Sequence, residues 1–302
     1  MYDIMVSRGC PYSCSYCCNS LFRNIYKKKG KYIRFRKVDD VIEELLYAKK
    51  EFPFVNMINI QDDGFASLSE NYLKDFSKKY KEIINLPLRL RIIPTSMTEK
   101  KAFYLKEANT LVGVLGIQAN DRINKELYNR HVSSKRIIEI AKLLKKYNIV
   151  GQYDIISQNP YETEQDMIEK CEILMKIPKP FFLVMFPLAL FPNTPLREKA
   201  IKDGIIINNT DGYTTRYGNY PIKYVYLNKL QQISPYTPSF LLKYFLYKRK
   251  NKSCKILFWF YNKHIYKMIH KMILLILKNT RLVSIIKKII FLPQYIILKL
   301  TK

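Results

Sequence analysis

Cys10, Cys14 and Cys17 fall within eight consecutive positions near the start of a 302-residue chain, in the run GCPYSCSYCC. Thiolates are soft ligands, and three of them spaced C-x3-C-x2-C on a short loop can hold three corners of one iron–sulfur cube. The fourth iron is left to an external chelator, which makes such a cluster a reagent and not only an electron relay. Two other uses of thiols fit less well. A zinc site draws four nitrogen or sulfur ligands, usually from C-x2-C pairs, and the three histidines, His131, His264 and His270, are remote in sequence. A disulfide framework belongs to small secreted domains, whereas this chain is neither small nor headed by a signal-peptide pattern. Cys18, adjacent to Cys17, cannot easily reach the same iron and reads as a buried small apolar residue. Cys171 and Cys254 read as structural or incidental.

With Tyr16 in front of its last cysteine, SRGCPYSCSYC resembles the signature of the radical SAM enzymes, and most of all their cobalamin-dependent branch. The resemblance covers roughly residues 1 to 205. It implies a [4Fe–4S] cluster on Cys10, Cys14 and Cys17, and S-adenosylmethionine bound through its amino and carboxylate groups to the open iron. It further implies an external electron donor of flavodoxin or ferredoxin type, reductive cleavage of the sulfonium, and a 5′-deoxyadenosyl radical that abstracts hydrogen from a substrate. Relatives in this branch carry a cobalamin-binding domain ahead of the core. This sequence starts where that domain would stop, so a fragment or a standalone core is expected. The chain itself does not support cobalamin binding; a separate cobalamin-binding protein is the partner it would need.

The elements that must position these residues alternate regularly. Apolar strands are expected at 1–7, 57–61, 88–93, 111–118, 149–156 and 181–187, and helices at 38–52, 68–84, 99–108, 121–128, 134–147, 163–176 and 195–203. Asp39 and Asp40 in the first turn of the 38–52 segment suit a helix dipole. Repeated βα units imply a parallel sheet covered by helices, and periodicity cannot tell an open doubly wound sheet from a barrel. The resemblance implies the fold class α/β, a six-unit partial TIM-type barrel, in which chemistry gathers at the carboxyl ends of the strands.

Residues just after each strand are therefore the candidates. Asp62 and Asp63 in QDDGF match the family segment that holds the cofactor's amino group; an acidic helix cap before Leu68 is the structural alternative. Pro94, Thr95 and Ser96 offer hydroxyls toward the mouth, or cap the helix ahead of Glu99. Gln118 stands where the family has Glu or Gln near the cofactor's ribose or methionyl part, and an amide can both donate and accept there. Asn120 is a weaker match. Arg130 matches a family arginine that meets the cofactor carboxylate, a role suited to its planar fork. His131 beside it could carry a proton or simply be solvated. Tyr16 joins the cofactor-binding set through the signature. The segment SQNPYET keeps the family's Pro160, Glu162 and Thr163 but lacks its glycines, and Asn193 likewise replaces a glycine. Asn159 could take the left-handed geometry of one of them. Missing glycines at two turns also leave open an inactive relative.

The net charge of +27 is uneven: all 25 acidic residues lie at or before Asp211, while 18 of the 52 lysines and arginines follow it. The expected division is a core at 1–210, a linking or core-completing segment at 211–240 with a strand at 222–228, and a basic, mostly helical tail at 241–302. The longest apolar runs of the tail, MILLIL at 272–277 and IIFLPQYIIL at 289–298, are shorter than the ~20 residues a spanning helix needs. Helices lying on an anionic membrane surface fit best, a helical cap on the barrel is the competing reading, and nucleic acid is disfavoured because the tail is too apolar for a solvated clamp. Cluster thiols imply a reducing cytoplasm, and the tail would put the chain at the inner face of the membrane. The substrate is expected to be a small or lipid-like molecule. Alternatives are a non-catalytic iron–sulfur or membrane-associated binding protein and an RNA methyl or methylthio transferase.

Overall fold

The computed structural model describes residues 1–205 and 223–268. Strand β1 (Tyr2–Ile4) is followed by a short antiparallel pair, β2 (Ser7–Arg8) and β3 (Arg34–Phe35), with helix α1 (Cys18–Ile25) between them. Then α2 (Val38–Glu51), β4 (Ile58–Ile60), α3 (Glu70–Lys79), β5 (Leu88–Ile92), α4 (Glu99–Glu107), β6 (Thr110–Gln118), α5 (Ser134–Lys146), β7 (Val150–Ser157), α6 (Glu164–Lys176), β8 (Phe182–Pro187) and α7 (Pro195–Lys202) alternate. Three further helices close the described chain: α8 (Val225–Ile233), α9 (Ser239–Tyr247) and α10 (Lys252–Phe260).

The six long-range strands pair in parallel in the order β1-β4-β5-β6-β7-β8, which is their order in the chain. A doubly wound sheet reverses its order at a switch point; this one never does, so every crossover helix falls on the same face. Alternation along β5 shows the result. Leu88, Leu90 and Ile92 are buried in one large cluster with Val41 and Leu45 of α2 and Leu73 and Phe76 of α3. Arg89 and Arg91 lie on the other face, and Arg89 reaches Gln152 on β7, two strands away. A sheet apolar toward its helices and polar on its inner, concave face is a partial barrel.

Most of the expected elements stand within a residue or two of their sequence bounds. The helix expected over 68–84 is α3 continued by a π-helical turn, Tyr80–Ile84. Ser69 caps α3, with its hydroxyl accepting from the Tyr72 amide at 3.2 Å, so neither Asp62 nor Asp63 is the cap. Helix α1 was not legible, because its eight residues carry only one buried side chain, Ser20. From Val225 on, the strand expected at 222–228 is instead the start of α8, with Leu227, Leu230 and Ile233 at helical spacing facing inward. These three join Leu242, Phe245, Leu246, Cys254, Phe258 and Tyr261 in a second apolar cluster built on Met167 and Cys171 of α6. The described part of the tail thus caps α6. Residues 269–302, with both apolar runs, and residues 206–222 lie outside the described part.

Candidate active site

The cysteine loop begins at Gly9, whose φ of +88° is left-handed and whose absent Cβ would lie 2.5 Å from the Tyr32 carbonyl oxygen. Only glycine turns the chain there without a clash. Four connections at the carboxyl ends of strands then fasten the loop. The Tyr12 and Thr95 hydroxyls share a 2.7 Å hydrogen bond at the end of β5. The Ser15 amide donates to the Tyr128 carbonyl at 2.9 Å and its hydroxyl to Leu127, beyond β6. The Leu196 amide in α7 donates to the Ser15 carbonyl at 3.0 Å, and Pro11 lies 3.5 Å from where a Cβ of Gly64 would stand, beyond β4. Arg23 of α1 donates to the Cys10 carbonyl at 2.7 Å from within cation–π distance of Tyr32. The mouth of the barrel is therefore where the three thiols are held.

Cys14 is buried, and Cys10 and Cys17 are half-buried. Burial pushes the Cys10 thiol up to about 11; it also raises Cys14, against the opposing pull of the Arg130 guanidinium. In the free protein these two thiols keep their protons at neutral pH, and metal binding must displace them. Among the described residues no group of three Cys, His, Asp or Glu side chains could share a single metal ion. A cube makes no such demand, since each cysteine takes its own iron. Cys18 opens α1 and is exposed, contrary to the buried position expected of it: the helix turns its side chain away from the core. Cys171 and Cys254 are buried structural residues of α6 and α10.

Arg130 is 95% buried (5% exposed), its Nη2 donating to the Gly116 carbonyl at 2.8 Å and its guanidinium 5.6 Å from the Tyr12 ring centroid. Its Nη1 is buried with no hydrogen-bond partner among the described residues. A buried donor without a partner costs about 1–3 kcal/mol, so this atom stands ready for an anionic group beside Cys14. Gln118 closes β6 with φ +65°, and a Cβ on Gly116 would meet Gln118 Nε2 at 2.4 Å and Arg130 Nη2 at 3.6 Å. The glycine lets amide and guanidinium converge. Tyr16 stands edge-on to Tyr128 with centroids 4.8 Å apart, in an apolar pocket with Ala119, Ile156 and Leu188.

The two acids of QDDGF separate. Asp62 is fully buried, accepting from the Val6 amide at 2.7 Å and the Ser7 hydroxyl at 2.6 Å, so both oxygens are spent on the segment that leads into the cysteine loop. Burial pushes its carboxyl up to about 6. Asp63 is half-buried, lies close enough to Cys10 to act on it electrostatically, and has no hydrogen-bond or ion-pair partner among the described residues. Chain position alone could not separate these neighbours.

Other candidates are occupied by the fold. Asn120 donates to Asp166 at 2.8 Å and Glu169 at 2.6 Å, which ties β6 to α6. Glu162 forms an ion pair with Lys170 at 2.7 Å, both side chains buried, and Thr163 caps α6 in a reciprocal box with Asp166. Ser96 bonds the Ile93 carbonyl at 3.3 Å while Thr98, not Pro94, Thr95 or Ser96, caps α4. His131 is exposed against Asn129. After β7 the left-handed residue is Gln158, φ +55°, not Asn159, whose amide is engaged with the Tyr128 hydroxyl at 3.0 Å. Asn193, φ +60°, does take the glycine-like geometry. Tyr12, Arg23 and Tyr128 were missed by sequence reasoning, since a lone aromatic or arginine carries no spacing signal.

The chain matches the Radical SAM superfamily over residues 4–174, more than half its length, and it belongs to that family. The family binds a [4Fe–4S] cluster and S-adenosylmethionine. A relative described as an uncharacterized methyltransferase, from Pyrococcus horikoshii, is 27% identical over 216 residues, which is 70% of this chain but only 45% of that protein. The fold resembles the cobalamin-dependent S-adenosylmethionine radical enzyme OxsB with aqua-cobalamin bound, at TM-score 0.60, 15% identity, and coverage of 89% of this chain and 50% of that one. It also resembles the radical S-adenosylmethionine methyltransferase TsrM of Kitasatospora setae, at TM-score 0.56, 17% identity, 67% of this chain and 39% of that one.

Proposed function

We propose that this chain is the core of a radical SAM enzyme acting on a small-molecule substrate, with residues 1–210 as the chemical domain. The observation that carries the reading is the cysteine loop fastened over the strand ends, with one buried nitrogen of Arg130 next to Cys14 that meets no partner among the described residues. When bound, the cluster and S-adenosylmethionine supply one-electron cleavage of a sulfonium and a radical able to take hydrogen from carbon. Cys10, Cys14 and Cys17 hold the cluster. Arg130 pairs with the cofactor carboxylate through the free edge of its fork. Asp63 is the acid open to an ammonium, and Asp62 holds the strand behind it. Gln118 donates and accepts beside Arg130, and Tyr16 with Tyr128 offers an aromatic wall. An external one-electron donor is required.

Anoxic reconstitution should give a brown protein with about four irons per chain that forms 5′-deoxyadenosine from S-adenosylmethionine under dithionite. Replacing any of the three cysteines by alanine should abolish both. A reconstituted wild-type cluster with no cleavage would leave a non-catalytic iron–sulfur protein.

The names of the relatives favour methyl transfer as the reaction, with cobalamin supplied by a separate protein or by a region outside this sequence. Transfer of label from methyl-labelled S-adenosylmethionine to cobalamin added in trans tests this.

The outer face of α10 supports attachment to an anionic membrane surface from the cytoplasmic side. Cys254, Phe258 and Tyr261 turn inward, so Ile256, Trp259 and Phe260 lie opposite with Lys252 and Lys263, and all five are exposed. Apolar rings flanked by lysines, with no acid after Asp211, suit lipid headgroups. No helix among the described residues is long and apolar enough to cross a membrane. Co-sedimentation with phosphatidylglycerol vesicles, reduced by Trp259→Glu with Phe260→Glu, is expected; indifference to lipid would remove this reading.

A further inference from the structure

Parallel strands covered by helices are normally apolar on both faces, yet the concave face of this sheet carries charge. Asp3 of β1 accepts from Asn59 of β4 at 2.6 Å, Asn59 accepts from Arg89 Nη1 at 2.8 Å, Arg89 Nη2 donates to Gln152 of β7 at 3.2 Å, and Gln152 donates to Asp154 at 2.9 Å. This chain of bonds crosses the interior from β1 to β7 and floors the barrel.

Arg91 stands one pleat nearer the mouth, on the same face as Arg89. It pairs in register with Val114 of β6, in the middle of the sheet. It is nevertheless exposed, and no hydrogen bond, ion pair or ring contact engages it among the described residues. An exposed arginine on a helix surface needs no account; one on an inner strand position faces the concave side of its own sheet and is open to solvent there. The acid nearest in the register, Asp154, is hydrogen-bonded by Gln152; burial pushes its carboxyl up against that bond and the charges of Arg91 and Arg89, so Arg91 acts on it electrostatically without bonding to it. Across the same face, Ile156 and Val184 are buried and Phe186 of β8 is 45% exposed, so the wall opposite Arg91 is apolar. Val114 lies four residues before Gln118 on β6, about 13 Å at the rise of a strand. The cofactor residues Gln118 and Arg130 therefore stand well above Arg91, with room between them.

We propose that Arg91 is the specificity-determining residue of the substrate pocket, and that the substrate carries a carboxylate or phosphate held by its guanidinium, with an apolar portion against Phe186. The proposal rests on the radical SAM reading for the identity of the pocket, but anion binding itself requires no turnover. Arginine presents a planar pair of donors that fits either oxyanion; the floor beneath engages both terminal nitrogens of Arg89 and buries its Nε, which leaves Arg91 as the solvent-accessible guanidinium of this face.

The test is calorimetric titration of the full chain with inorganic phosphate and, separately, with succinate, at fixed ionic strength. One of the two should bind at a single site, and the stronger binder identifies the oxyanion class. Arg91→Gln should weaken that binding at least tenfold, Arg91→Lys less, and Arg34→Gln, on the exposed edge of β3, not at all. In the wild type the same anion should slow phenylglyoxal labelling of Arg91, read by peptide mass spectrometry, which keeps the test valid if a variant fails to fold. Equal anion binding by wild type and Arg91→Gln, or no protection of Arg91, would overturn the assignment. So would an Arg91→Gln protein that loses S-adenosylmethionine binding with anion binding intact, since Arg91 would then serve the cofactor. Failure of the wild type to cleave S-adenosylmethionine would count against the enzymatic reading and leave the anion site standing.

Discussion

At the scale of single residues, neighbours in sequence perform unlike tasks because burial differs. Asp62 spends both oxygens on Val6 and Ser7, while Asp63 keeps its carboxylate free beside Cys10. The folded carboxyl of Asp62 titrates near 6, against the ordinary value of 3.8 that the unfolded chain has. Between those values the folded protein holds a proton that the unfolded one has released. Asp62 therefore contributes stability that grows as pH falls from about 6 to 4 and is lost as pH rises through 6, on the order of 2–3 kcal/mol. In Asp62→Asn the amide oxygen still accepts from Val6 and the NH2 can donate to the Ser7 oxygen. Urea unfolding at several pH values should show the wild type and this variant diverging across pH 4–6, with the variant at least as stable at pH 7. A constant difference across that range would contradict the assignment. The C-x3-C-x2-C spacing of the three cysteines is legible along the chain, whereas the free acid is not, because sequence position says nothing about which of two adjacent carboxylates meets a backbone amide.

At the scale of elements, the β7–α6 connection depends on one buried ion pair. Glu162 and Lys170 are both hidden, 2.7 Å apart, with Lys170 also donating to the Ile156 carbonyl at 3.3 Å. Burial raises the Glu162 carboxyl against the pull of Lys170. Removing one partner strands the other charge, so Lys170→Met should cost about 3–5 kcal/mol in urea unfolding, and adding Glu162→Leu should recover most of it. A double variant no more stable than Lys170→Met would refute the pairing. The sequence marked this segment by Pro160, Glu162 and Thr163, but read them through a family motif. The structure instead shows an ion pair and a helix cap, and assigns the left-handed turn to Gln158. Strand α-helix alternation was readable because helices and strands repeat their apolar residues at different periods. α1 and α8 were not, since the first buries almost nothing and the second begins in a tyrosine-rich stretch that looks strand-like.

At the scale of the whole molecule, α8, α9 and α10 form one apolar cluster on α6, separate from the cluster inside the helical layer of the sheet. Phe258 is fully buried there, against Phe245 at 5.3 Å and Tyr226 at 4.3 Å between ring centroids, whereas its neighbour Trp259 is 42% exposed. Phe258→Ala should destabilise by about 3–5 kcal/mol, and Trp259→Ala by no more than about 0.5 kcal/mol, measured by urea unfolding. Similar losses from both would mean that the outer face of α10 is also covered. The described tail is thus both a cap, through one stripe of α10, and a candidate surface for lipid, through the other.

The sequence by itself determined the spacing of the three cysteines, the six-unit alternation and the charge asymmetry, because spacing, period and composition are properties of neighbours along the chain. Tertiary structure alone decided that the sheet curls in one direction, that Arg130 and Gln118 converge over Gly116, and that Arg91 stands exposed on the inner face with no hydrogen-bond partner among the described residues. Those facts depend on which residues from distant strands share a face and on which donors their own fold has already satisfied.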